Sequence, residues 1–174
     1  MRATSLTVAA LAAALLLTAC DDGGDAAGGQ DTKAGSGCAD KLAVQFGPAN
    51  AAPAAGDTGN VPVTVTNRSG AKCTLDGLPG VEFEAGDKAT TIAPDDAATS
   101  KKTTLAKEAT TSFTLTYVQG EGGGTKSLAV KSVKLRLPGS AKTHSFKWSY
   151  GDVALKSDGQ TPDASVTGFQ QSGD

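Results

Sequence analysis

Three cysteines carry the most specific chemistry available to this 174-residue sequence: Cys20, Cys38 and Cys73. A cysteine can be acylated, oxidised to a disulfide or bound to a metal, and the surrounding sequence indicates which of these applies. Cys20 directly follows an apolar run, whereas Cys38 and Cys73 lie in the more polar remainder of the chain. The cysteines therefore divide into one N-terminal residue and one later pair.

The segment before Cys20 is typical of an export signal. A positive start at Arg2 is followed by a 12-residue apolar run, Leu6–Leu17, which suits a signal-peptide core and falls short of the ~18 apolar residues of a membrane span. Leu17-Thr18-Ala19-Cys20 resembles the bacterial lipobox, in which the cysteine is lipidated and becomes the new N-terminus. We therefore predict a lipoprotein signal peptide over residues 1–19 and a lipid on Cys20. The alternative is an ordinary secretory signal cleaved after Ala19.

Residues 20–37 are predicted to form the lipidated cysteine and a flexible tether. The stretch is rich in Gly, Ala and Asp, so it cannot bury enough apolar surface to fold, and its root-mean-square reach is ~20–25 Å. Two acyl chains, at ~0.8 kcal/mol per buried methylene, hold a protein stably on a bilayer. The expected location is the outer face of the cell membrane, with the membrane contacted through the lipid on Cys20.

Lipidation of Cys20 leaves an even pair of cysteines. The compartment outside the membrane permits disulfides, so we predict a Cys38–Cys73 bond. Closing its loop of about 36 residues is worth ~3.8 kcal/mol by loop-closure entropy. A metal site is the competing interpretation, but it needs more ligands, and the chain has one histidine, His144. No metal and no cofactor are predicted.

Two catalytic motifs are present only in part. Ser69-Gly-Ala-Lys72 matches the S-x-x-K pattern of penicillin-interacting enzymes, but the helix and the further motifs of those enzymes do not follow. A hairpin turn is the expected structure there. Gly120–Ser127 approaches a phosphate-binding P-loop, but Thr125 replaces the second glycine and a strand follows, where the motif needs a helix. A mobile loop is expected instead.

Isolated polar residues give no stronger signal for catalysis. Glu82 and Glu84 share one strand face, whereas the carboxylate pair of a glycosidase usually comes from separate elements in a cleft. We expect them on the solvent side of an edge strand. His144 has the parity of Phe146 and Trp148 and is expected to cap the core end of its strand. We therefore predict no catalytic residue, with an envelope hydrolase of dispersed active site as the alternative.

The charge balance excludes a nucleic-acid-binding footprint. From Cys38 onward the chain has 14 basic and 14 acidic residues, and nucleic-acid binding usually leaves a basic surface. Lys101-Lys102 is an isolated pair that we expect in a solvated loop. No nucleic-acid partner is predicted.

The elements that must position these residues are short strands. Apolar residues alternate with polar ones along the chain, in stripes such as Val61/Val63/Val65 and Phe113/Leu115/Tyr117. The apolar parity changes between Leu128 and Val133, which indicates a bulge or kink near Lys131-Ser132. Eight or nine strands follow from this pattern. The predicted fold is all-β, an antiparallel two-sheet immunoglobulin-like sandwich that forms a single domain over residues 38–174.

One region of the chain resembles a known family. Val63–Phe83, with Cys73-Thr74-Leu75 and Gly77-Leu78-Pro79-Gly80-Val81, is similar to the signature of the domain of unknown function 4232 family of secreted and lipid-anchored actinobacterial proteins. Cys38 matches its leading cysteine, and the resemblance extends to about Phe169, although a second cysteine pair found in many relatives is absent. The resemblance implies a fold and a location but no activity. We expect a non-catalytic binding or interaction module whose partner is an envelope protein or ligand.

Overall fold

A computed structural model of the chain describes residues 37–171, which belong to one compact unit, Thr32–Asp174. A 3-10 turn at Ala39–Lys41 leads into thirteen strands among these residues. The strands are β1 (Leu42–Phe46), β2 (Thr58–Asn67), β3 (Cys73–Gly77), β4 (Gly80–Ala85), β5 (Lys88–Thr91), β6 (Lys101–Leu105), β7 (Thr110–Val118), β8 (Ser127–Leu128), β9 (Ser132–Arg136), β10 (Thr143–Lys147), β11 (Val153–Ala154), β12 (Ala164–Val166) and β13 (Gln170–Gln171).

Two main antiparallel sheets form a sandwich-like arrangement. The five-stranded sheet has the order β1-β2-β7-β12, with β13 also paired to β7, and the four-stranded sheet has the order β10-β9-β4-β5. Two smaller ribbons, β3-β6 and β11-β8, complete the described fold. The all-β sandwich predicted from sequence is therefore confirmed.

The strand register aligns the apolar stripes on the inner faces of both sheets. In the five-stranded sheet Val61 lies opposite Leu115, and Val63 lies opposite Phe113. In the four-stranded sheet Val81 lies opposite Leu135, and Phe83 lies opposite Val133. All eight side chains are at most 1% exposed. Because successive side chains of a strand point to opposite faces, the predicted period-2 stripes pack into one core.

An aromatic cluster fills one end of the core. Trp148 makes edge-on contacts with Phe83, Tyr117 and Tyr150, with ring centroids 5.0, 4.9 and 4.9 Å apart. Its indole Nε1 donates a hydrogen bond to the carbonyl of Gly151 at 2.6 Å, which satisfies its polar atom inside the cluster. This cluster joins the two sheets.

The change of parity after Leu128 has a different cause from the predicted bulge. The chain leaves β8 in a tight turn in which Val130 N–H donates to the carbonyl of Leu128 at 2.9 Å. It then enters β9, which belongs to another sheet. The expected kink near Lys131-Ser132 is therefore a turn between two strands, directly before Lys131, and not a bulge within one strand.

The solvated loop expected at Lys101 and Lys102 is wrong, because these residues are the first two of strand β6. Lys102 lies opposite Asp76 of β3, and its Nζ is 3.6 Å from the Asp76 carboxylate, with both side chains largely exposed. An exposed pair of this kind contributes little to stability. The strand is held instead by its backbone pairing and by the buried side chains of Thr103 and Leu105.

The antiparallel order gives the sandwich two ends with different loops. Leu42 lies opposite Asn67, and at the other end Thr58 lies opposite Val118. We call the end at which the chain enters the domain the Cys38 end, and the other the cleft end. The Cys38 end is formed by four charged connections, 38–41, 68–72, 106–109 and 137–142, and by the uncharged connection 78–79. The cleft end is formed by 47–57, 86–87, 119–126, 129–131, 148–152 and 155–163. The connections 92–100 and 167–169 are assigned to neither end.

Replacement of Gly59 by Ala should destabilise the fold. Gly59 lies opposite Tyr117, and an added Cβ would lie 2.4 Å from the Tyr117 ring, which is fully buried. Overpacking of this kind typically costs about 1–3 kcal/mol. The measurement is the free energy of unfolding in a denaturant titration. Gly70→Ala is the matched control, because an added Cβ there meets nothing within 4 Å. Equal stabilities of the two variants would contradict the packing argument.

Candidate functional site

The largest of the described concave surfaces lies at the cleft end of the sandwich. It is an open cleft of about 640 Å³, which is within the range of small-ligand sites. Three segments form it, around Gly56, along the loop after β7 and along β11. Its lining residues are Ala55, Gly56, Gln119, Gly120, Glu121, Gly124, Thr125, Lys126, Ser127, Ala154 and Leu155.

Backbone hydrogen bonds hold the three segments together. Gly56 N–H donates to the carbonyl of Gln119, and Gly120 N–H to the carbonyl of Asp152, both at 2.8 Å. Leu155 N–H donates to the carbonyl of Lys126 at 2.9 Å. The walls of the cleft are therefore fixed by main-chain pairing, and small side chains leave the space between them open.

The glycine-rich wall differs from a phosphate-binding loop in its hydrogen bonding. Gly123 N–H donates to the side-chain carboxylate of Asp152 at 2.9 Å, and Gly124 N–H donates to the carbonyl of Glu121 at 3.0 Å. A P-loop directs such N–H groups at the phosphates of its ligand. Here both N–H groups already donate to acceptors within the chain, so they are not free to bind a phosphate. One of these acceptors is the Asp152 carboxylate, whose negative charge would repel a phosphate.

Gly120 is required by close packing. A Cβ added at this position would lie 2.4 Å from the Ser127 hydroxyl and 3.0 Å from the backbone nitrogen of Ala154. The floor of the cleft is therefore a glycine backbone held against β8 and β11. A side chain there would either fill the cleft or push its walls apart.

The polar side chains in the cleft are separate from one another. Glu121, Thr125 and Lys126 are exposed, and Ser127 packs its hydroxyl against Gly120. Within the described part of the chain, no side-chain hydrogen bond or ion pair links these four residues. A nucleophile needs a neighbouring base and a group that orients it. The lining instead supplies exposed backbone, small apolar groups and separate polar side chains.

Ser69 and Lys72, the S-x-x-K residues, lie at the Cys38 end, away from the cleft. Their segment connects β2 to β3, which belong to different sheets, so the expected hairpin is wrong. The Ser69 hydroxyl lies 2.7 Å from Oδ1 of Asn67 and 2.8 Å from the carbonyl of Ala71. Ser69 is thus part of a turn, and Lys72 is exposed.

Glu82 and Glu84 lie on β4, which is flanked by β9 and β5, so the expected edge position is wrong. The Glu84 carboxylate contacts Lys134 Nζ and accepts a hydrogen bond from the Ser132 hydroxyl, both at 2.6 Å. The hydrogen bond from Lys134, with that from Ser132, lowers the pKa of Glu84. Glu84 is therefore a charged partner in a cross-strand pair, not a proton donor.

His144 lies on the edge strand β10, opposite Leu135. Phe146, which lies on the same face of β10, stacks on Phe46 of β1 with ring centroids 5.0 Å apart. The ring Nε2 of His144 is buried without a hydrogen-bond partner, although the residue as a whole is half-buried. Burial, with a smaller contribution from the charge of Lys142, lowers the pKa of His144 below its usual value of 6.5.

Cys38 and Cys73 form a disulfide, with a Cα–Cα distance of 5.7 Å. It attaches the start of the domain to β3. Cys20, the predicted signal peptide and residues 21–36 of the predicted tether lie outside the described residues. Within residues 37–171 no group of three or more His, Cys, Asp or Glu side chains could hold a metal ion. In the same part of the chain no helix has the length and apolarity needed to cross a bilayer.

The cleft is the feature that sequence reasoning missed. Its one signal was the glycine-rich stretch Gly120–Gly124, which predicted a loop but not a concave surface. The other walls come from residues about 65 positions earlier, at Ala55, and about 30 positions later, at Ala154. These two walls consist of Ala55 and Gly56 and of Ala154 and Leu155. None of these residue types indicates a binding site in a sequence.

Fold and site together define a small disulfide-containing antiparallel β-sandwich with an open cleft between the loops at one end. Residues 38–170 match the family model described as Domain of unknown function (DUF4232). The match covers more than half of the chain, so the protein belongs to this family, as the resemblance in its first half indicated. No curated protein and no solved structure matches the chain significantly.

The lowered pKa of His144 predicts a loss of stability in mild acid. The unfolded chain binds a proton with a pKa near 6.5, whereas the folded protein holds the ring neutral to lower pH. Stability is therefore fully present above pH 6.5 and falls as the pH drops through that value. Denaturant titrations at pH 7.5 and 5.5 should show a larger decrease for the wild type than for His144→Gln. Equal decreases would contradict the assignment.

Proposed function

We propose that the protein is a cell-envelope lipoprotein whose β-sandwich is a non-catalytic binding module, and that its ligand occupies the cleft. The observation that carries the proposal is the cleft itself, with its volume of about 640 Å³ and its lining of small and separate polar residues. Ligand sites are typically concave, largely pre-formed and supplied with a few polar groups. The main-chain pairing of the cleft walls supports a pre-formed site.

The lipid anchor is supported by the sequence that ends at Cys20. In the proposal the chain passes from the lipid through the tether to Cys38, at the opposite end of the sandwich from the cleft. A module attached in this way can present its cleft away from the bilayer. A partner in the envelope or outside the cell would then reach the cleft without passing the membrane surface.

A hydrolase would need a nucleophile and a base that share one site. Ser69 and His144 are the candidates that the sequence offers, and neither lines the cleft. No described feature favours the hydrolase. Loss of a turnover reaction in Ser69→Ala or His144→Ala, with an unchanged thermal melt, would overturn the non-catalytic proposal.

The lipid anchor is tested by mass. Mature wild-type protein extracted with detergent should begin at Cys20 and carry the added mass of at least two acyl chains. Cys20→Ala should yield unprocessed precursor or released protein without lipid, because the acylated sulfur is missing. Ser36→Ala in the tether is the matched control and should remain anchored. A mature wild-type chain that begins at Cys20 without lipid would contradict the anchor.

The cleft is tested by filling it. Ala55 is exposed and lines the cleft, so Ala55→Trp should occupy the space of the ligand and leave the core intact. The measurement is crosslinking on intact cells, followed by mass spectrometry of the captured partners. A partner of the cleft should be lost from Ala55→Trp and retained by Ala71→Trp, an equally exposed position at the Cys38 end. An unchanged set of partners in Ala55→Trp would exclude the cleft as the binding site.

A further inference from the structure

The two ends of the sandwich carry opposite charge. The four charged connections at the Cys38 end contain five basic residues and two acidic ones, a net charge of +3. The connections of the cleft end contain three basic residues and six acidic ones, a net charge of −3. The domain as a whole is neutral, so the difference comes from the placement of the charges and not from composition.

The basic residues of the Cys38 end come from all four connections. They are Lys41, Arg68, Lys72, Lys107 and Lys142, and all five are exposed. The connections meet in space. Asp40 accepts hydrogen bonds from the backbone N–H groups of Ala141 and Lys142 at 3.0 and 3.2 Å, and Asn67 donates to the carbonyl of Ala106 at 3.0 Å. Five cationic side chains therefore surround one end of the domain.

The anionic groups at this end offset the cations only in part. Asp40 is engaged by the Ser140 hydroxyl and by the backbone of Ala141 and Lys142, and the hydrogen bond from Ser140 is the main cause of its lowered pKa. Its carboxylate is directed into the 137–142 connection. Glu108 is exposed and is the other acidic residue of this end. The net positive charge therefore faces the solvent around the point at which the chain enters the domain.

We infer that the Cys38 end is a membrane-facing surface that binds the headgroups of anionic lipids. This rests on the proposed function, because the lipid on Cys20 would hold this end of the domain near the bilayer. Basic groups close to an anionic leaflet are attracted to it within a Debye length of about 8–10 Å. The acidic cleft end would be repelled if it approached the same surface. Attraction at one end and repulsion at the other orient the sandwich with its cleft facing outward.

The tether predicted from the sequence of residues 21–37 would permit this contact. A flexible coil of that length has a reach of ~20–25 Å, which would let the domain approach the bilayer closely. The same residues include four aspartates and one lysine, spaced along the sequence. The five cations of the Cys38 end are instead held together on one folded surface, where they act on the membrane as a group.

The test uses the chain from residue 21 to residue 174, which lacks the lipidated cysteine and retains the compact unit. Binding is measured by co-sedimentation with vesicles of phosphatidylcholine alone and of phosphatidylcholine with an equal amount of phosphatidylglycerol, at 50 mM salt. We expect binding to the anionic vesicles only, and its loss at 500 mM salt because the interaction is screened.

Two charge-matched variants locate the surface. Lys41→Gln/Lys72→Gln/Lys107→Gln neutralises the Cys38 end, and Lys126→Gln/Lys131→Gln/Lys156→Gln removes the same charge from the cleft end. All six positions are exposed, and thermal melts check that both variants fold. The first should reduce partitioning at least about tenfold, given the strength of juxtamembrane basic residues. The second should bind like the wild type or more tightly.

Three results would overturn the inference: equal binding to both kinds of vesicle, no binding to either, or equal losses in the two variants. These results are independent of the lipid anchor. A protein that carries lipid on Cys20 but ignores anionic vesicles would refute the membrane-facing surface and leave the proposed function standing. A protein that has no lipid on Cys20 but still binds anionic vesicles through the Cys38 end would refute the lipid anchor and leave the lipid-binding surface standing.

Discussion

The buried amide of Asn67 determines how the Cys38 end of the sandwich is built. Its side-chain nitrogen lies 2.9–3.0 Å from the carbonyls of Ala71, Leu105 and Ala106, and its oxygen accepts a hydrogen bond from Ser69 N–H at 3.0 Å. The residue is fully buried. An unsatisfied buried polar group costs about 1–3 kcal/mol, so these loops must keep their positions around the amide. The disulfide attaches the first residues of the domain to the same region, and the basic connections therefore surround a rigid base.

The cleft end is organised in a different way. Its core is closed by Tyr117, whose ring lies against Gly59 and whose hydroxyl lies 3.3 Å from Ala52 N and 3.4 Å from the carbonyl of Tyr150. Beyond this aromatic cluster the loops are joined mainly by backbone hydrogen bonds. The cleft lies between these loops, with Gly120 held against Ser127 and Ala154. Its walls are therefore fixed by main-chain pairing next to a packed core.

Sequence patterns predicted the central strands because burial there follows the period of the strand. Val63 and Phe113 lie on inner faces that the alternation identifies, and both are fully buried. The peripheral strands β5 and β6 lack a long stripe, and they are defined by partners that local sequence cannot reveal. The same holds for Asn67, whose acceptors include Leu105, 38 residues away. The cleft has no distinctive side-chain pattern, since its lining mixes glycine and alanine with single polar residues from three separate segments.

The topology explains how a domain with no net charge carries positive charge at one end and negative charge at the other. A strand that crosses an antiparallel sandwich carries the chain from one end to the other, whereas the two-residue strands β8 and β11 leave two successive connections at the cleft end. Charges in different connections therefore collect on opposite sides of the molecule. Here the connections with Arg68, Lys107 and Lys142 fall at the end where the chain enters, and those with Glu121 and Asp158 fall at the other. Net charge therefore says little about the surface that a partner meets. The same topology separates the cleft from the point at which the chain enters the domain, and under the proposed lipid anchor this would let one end face the membrane and the other a ligand.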